Sequence, residues 1–86
     1  MITLQAAEDL SGVLRKVLPS PNPVVDFHMS RNIWDQAILE ALATFAVAEQ
    51  ALPVDVREMV EEFLGQDGVS PKFRKRAQFN LGRIPV

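Results

Sequence analysis

The sequence predicts an all-α protein, a small four-helix bundle with a Pro-rich extended loop between helices 1 and 2, and three observations carry that prediction. Four segments space their apolar residues three and four apart, the period of a single helix face. The boundaries of those segments hold Pro, Gly, Ser and Asn in the positions that start and stop helices. Hydrophobic residues make up 48% of the chain and charged residues 23%, which supplies a core and lies far from the composition of a disordered segment. At 86 residues the length predicts one domain spanning 1–86.

The first helix is expected over 4–18. Thr3 is a candidate N-cap, and Ala6, Ala7, Leu10, Val13, Leu14, Val17 and Leu18 form one apolar stripe. Glu8 and Asp9 lie toward its start and Arg15 and Lys16 toward its end, matching the helix dipole, and Pro19 stops it. Gly12 either weakens the middle or marks close approach by another helix. Alternating prolines in Pro19-Ser20-Pro21-Asn22-Pro23 hold the chain extended, and Pro19 to Met29 is expected to cross one end of the bundle as a belt.

The second helix is expected over 32–51, capped by Ser30 or Asn32, with Asp35 completing a variant capping box. Trp34, Ile38, Ala41, Leu42, Phe45 and Ala48 share a face, yet Ala37, Leu39, Ala43, Ala46 and Val47 extend apolar surface around most of the circumference. Only Gln36, Glu40 and Thr44 form a polar edge. Such a helix belongs at the centre of the domain, or completes its burial against a partner. The third, over 53–64, opens on Pro53 and closes at Gly65, with Val56, Met59, Val60, Phe63 and Leu64 as its stripe. The fourth, over 71–81, is capped by Ser70 with Pro71 in its first position, and Gly82 and Pro85 end it. The expected core is Leu10, Leu14, Val17, Ile38, Leu42, Phe45, Val60, Phe63, Phe73 and Leu81.

Charge is unevenly distributed. Residues 1–70 hold all eleven acids and four bases, a net −7, whereas 71–86 hold five bases and no acid, a net +5, giving the chain its −2. A basic terminal block on an acidic body marks an interaction segment. Absence of cysteine excludes disulfides and thiolate metal sites and makes a cytoplasmic setting the expectation. The first ten residues lack the positive start of a secretory signal, and the most apolar stretch, 37–48, is too short for a bilayer span, so no membrane role is expected.

Catalysis is not expected. With no Cys or Tyr and a single His, a nucleophile–base–metal constellation has few candidates, and Asp26, His28 and Ser30 at alternate positions are the nearest approach to one. Glu58, Glu61 and Glu62 read as a solvated face. Gly65 and Gly68 mark a turn and lack the pattern of a phosphate loop, so neither metal, cofactor nor small-molecule substrate is indicated.

The fourth helix, with a basic segment over about 70–82, carries the functional argument. Phe73, Ala77, Leu81 and Ile84 fall in one sector of the wheel and should dock on the domain; the opposite sector holds Lys72, Lys75, Arg76 and Arg83 around Phe79. Three arrangements accommodate that aromatic. It packs on the core beneath lysine and arginine stems. Alternatively it anchors a protein interface, with the arginines as charged neighbours. In the third, helices three and four form a helix-turn-helix that presents Lys72, Lys75, Arg76, Gln78 and Asn80 to DNA. A long turn, the acidic third helix and a pI near 5.2 count against DNA. The reading adopted is a non-enzymatic protein-interaction module, an adaptor or small subunit of an assembly, with a homodimer as one form it can take. Its partner-binding residues are Lys72, Lys75, Arg76, Phe79 and Arg83, with a DNA-binding regulator as the alternative.

Overall fold

The structure is a computed structural model that describes residues 4–86. Among them it forms five α-helices and no strand: α1 (Leu4–Val17), α2 (Pro23–Ser30), α3 (Trp34–Ala48), α4 (Val54–Leu64) and α5 (Pro71–Arg83). The N-cap expected at Thr3 lies outside the described residues. A radius of gyration of 11.6 Å matches the value of about 12 Å expected for a compact chain of this length.

The expected four helices are five, because the Pro-rich extended loop is shorter than predicted. Only the residues between Val17 and Pro23 lack helix; the remainder of the expected belt is α2. Asn22 adopts an extended backbone, and its Oδ1 accepts from the amides of Val24 (2.9 Å) and Val25 (3.4 Å) while Pro23 takes the first helical position. A proline there loses no hydrogen bond and has its φ preset. The same cap-then-proline signature starts α5 at Ser70-Pro71, so the prolines before α2 conceal a start signal at their last member.

The expected capping box at Ser30 or Asn32 does not form. Asn32 is instead the left-handed residue, φ 59°, that ends α2. Its amide donates to the Met29 carbonyl (3.1 Å) and that of Ile33 to the His28 carbonyl (2.9 Å), which is a Schellman closure. α3 therefore begins at Trp34 with no side-chain cap. It ends two to three residues earlier than expected, at Glu49 with φ 55°, where the Glu49 and Gln50 amides donate to the Ala46 and Phe45 carbonyls. α5 runs through Gly82 to Arg83 and stops where Ile84, preceding Pro85, turns extended.

α3 is the central element, packed by α1, α2 and α5, while α4 packs on α1. Ala37, Ile38, Ala41 and Leu42 are fully buried on it and Phe45 nearly so. Leu10, Leu14, Val60, Phe63 and Leu81 complete the expected core; Val17 and Phe73 are half-buried at its edge. Val25, Leu52 and Val69 join the core from outside the four predicted stripes. Asn22 fastens α2 to α3 by donating from Nδ2 to Thr44 Oγ1 (2.7 Å) and, more weakly, to Glu40 Oε1 (3.4 Å). Arg15 pairs with Asp26 across α1 and α2, and the carboxylate holds the guanidinium above its ordinary pKa by hydrogen bond and charge. Gly12 is no point of close approach: a Cβ built there meets nothing within 4 Å.

Candidate functional site

The orientation of α5 is set by its first turn and by one arginine. Ser70 Oγ accepts from the Phe73 amide (3.1 Å), Pro71 follows in the first position, and the Phe73 ring meets Phe63 of α4 edge-on at 6.1 Å. Arg74 donates from Nε to the Leu64 carbonyl (2.8 Å) and from Nη2 to the Gln66 carbonyl (3.1 Å). These are carbonyls at and just beyond the end of α4, where the helix has no donors of its own and its dipole favours a cation. Ala77, Leu81 and Ile84 are then buried, as the wheel required.

With that face committed, Lys72, Lys75, Arg76, Phe79 and Arg83 all turn outward and are exposed. Phe79 is 66% exposed, so it does not pack on the core beneath the basic stems. Lys72, Lys75, Arg76 and Phe79 line an open groove of about 630 Å³ whose other wall is α3, through Gln36, Leu39, Glu40 and Ala43. Arg83 is not part of that lining; its guanidinium lies 5.6 Å from the Phe79 ring centroid. The groove thus has Leu39, Ala43 and Phe79 as apolar contacts, three cations along the α5 rim, and Glu40, held by Asn22, as a lone carboxylate on the α3 side.

The α5 wall follows from the spacing of residues in the sequence, whereas the α3 wall does not stand out in it. Leu39 and Ala43 belong to a helix that is apolar almost all round, so periodicity did not separate a buried position from an open one. Val47, four residues beyond Ala43 on the same face, is 76% exposed. The usable signal was the polar edge: Gln36 and Glu40 share this face with Ala43 and Val47, and mark it as the one that reaches solvent.

The α2 region holds a second exposed aromatic, Phe27, 53% exposed with the Arg31 guanidinium 5.3 Å from its centroid. Asp26, His28 and Ser30 do not come together as a unit. Asp26 faces Arg15, and Ser30 Oγ donates to the Phe27 carbonyl at 2.7 Å. Among the described residues no cluster of His, Asp and Glu has metal-binding geometry, and no helix is long and apolar enough to cross a membrane. No protein-family model matches this sequence, and no curated protein or solved structure matches it.

Proposed function

We propose that this chain is a non-enzymatic protein-interaction module, an adaptor or a small subunit of a cytoplasmic assembly, whose α3–α5 groove receives an acidic amphipathic helix. One observation carries the reading: a large aromatic, 66% exposed, stands in a groove with an apolar floor and a cationic rim. The exposed two-thirds of the Phe79 ring forgoes burial worth about 1 to 2 kcal/mol, and burial against a partner regains it. Aromatics and arginines are the residues on which interface energy concentrates, and an apolar groove flanked by charge suits an amphipathic helix. The rim cations select carboxylates on that helix. Placing an uncharged or basic helix there would desolvate Lys75 and Arg76 without compensation.

The DNA-binding alternative uses the same cations but fits the geometry less well. The connection from α4 to α5 takes residues 65–70, longer than a helix-turn-helix turn, and Glu58, Glu61 and Glu62 are exposed on α4 where phosphates would approach. A titration of the labelled protein with a synthetic Leu- and Glu-rich amphipathic peptide, followed by two-dimensional NMR, tests the reading. Shifts clustered at Leu39, Ala43, Lys75, Arg76 and Phe79 and lost in Phe79→Ala are expected. Retention on heparin and duplex DNA that falls steeply with salt, with no response to peptide, would replace it with the DNA-binding reading.

A further inference from the structure

The partner that fits the groove is present in the same sequence: we propose that the outer face of α4 from one copy of this chain seats in the α3–α5 groove of another, so that the protein associates head to tail. This rests on the interaction reading above and names its occupant. Asp55, Glu58, Met59 and Glu62 stand at i, i+3, i+4 and i+7 of α4 and are all exposed. Lys72, Lys75, Arg76 and Phe79 stand at the same spacing on α5 and are also all exposed. Each quartet is one helix face carrying three like charges and a single apolar residue, and the two have opposite sign. Methionine against an aromatic ring is a favourable contact, and Met59 is 38% exposed.

None of these six charges is in a salt bridge: among the described residues the ion pair is Arg15 with Asp26, and Glu40 and Asp35 of α3 share surface pockets with the α5 cations without pairing with them. Nor does a chain fill its own groove. α5 turns Gln78, Leu81 and Gly82, its other side, toward Arg57, Glu61 and Leu64 of α4. Bringing α4 round to the groove would withdraw Val56, Val60, Phe63 and Leu64 from the core. The contact is therefore between molecules and joins two different surfaces, so each copy added leaves one free α4 face and one free groove until a ring closes.

Sedimentation across a micromolar-to-millimolar series, at low and high salt, tests this with two variants at exposed positions, each checked for folding by circular dichroism. The groove variant is Lys75→Gln, Arg76→Gln, Phe79→Ser; the helix variant is Glu58→Gln, Met59→Ser, Glu62→Gln. Wild type is expected to gain mass with concentration and to lose it with salt. Each variant alone should associate about 30-fold or more weakly. An equimolar mixture should reach the mass of a dimer and stop, because only one intact α4 face and one intact groove remain between them. Wild type that stays monomeric throughout, or variants whose mixture stays monomeric while wild type associates, overturns the proposal. The peptide titration separates the two failures: a monomeric wild type whose groove still responds to acidic peptide has another protein as its partner, whereas no response removes the interaction reading as well.

Discussion

Replacing Phe79 with alanine distinguishes a surface anchor from a core residue by magnitude. At 66% exposure about a third of the side chain is covered. Full burial of phenylalanine contributes about 1.5 to 3 kcal/mol, so the covered share is about 0.5 to 1 kcal/mol. The Arg83 guanidinium at 5.6 Å adds about 0.5 kcal/mol at an exposed site. Phe79→Ala should therefore cost about 1 to 1.5 kcal/mol and lower Tm by roughly 4 to 12 °C in a domain of this size. Phe45, at 2% exposure in the centre of α3, is the internal standard. Its replacement by alanine should cost about 3 to 5 kcal/mol, a large part of the roughly 4 to 13 kcal/mol a chain this long is expected to have. Paired thermal and urea denaturation of the two variants, in dilute solution, makes the comparison. A Phe79→Ala loss as large as that of Phe45→Ala would place the ring in the core and refute the groove.

Four further substitutions probe how the helices are capped, joined and packed. Asn22→Ala removes the cap of α2 and the bond to Thr44, and should cost about 2 kcal/mol with a drop in helicity, since eight residues do not sustain a helix alone; unchanged helicity would contradict the cap. Arg74→Met leaves the Leu64 and Gln66 carbonyls without their donor and should cost about 2 kcal/mol by urea denaturation, with amide exchange accelerated around the 65–70 turn. Glu49→Gly relieves a left-handed backbone at φ 55° and should stabilise by about 1 kcal/mol; a neutral or destabilising result would place the end of α3 in another conformation. Gly12→Ala, where a Cβ meets nothing within 4 Å, should raise stability by about 1 kcal/mol, and a lower Tm would show that another element approaches α1 there.

The sequence by itself determined the helical class, the central helix and the outward basic stripe of α5, because each rests on local information. Ala77 and Leu81 must be buried together and Lys72 and Arg76 must not, whatever the rest of the chain does. It also held the α2 start signal, Asn22-Pro23, but the neighbouring prolines outweighed it: eight residues are too few for periodicity to declare a helix, and Thr44 of α3, 22 positions away, steadies the capping side chain. Asn32 had two local uses, capping α3 or closing α2, and the existence of α2 selected the second. Gln36 and Glu40 mark the side of α3 that reaches solvent, but only the tertiary structure decided which positions bordering that side stay open. Leu39 and Ala46 are chemically equivalent to a reader of periodicity, yet one lines the groove and the other is buried, because Arg74 and the Phe63–Phe73 contact fix where α5 lies across α3. Burial depends on which neighbour arrives, and that is a property of packing between distant segments, absent from the spacing of residues within either one.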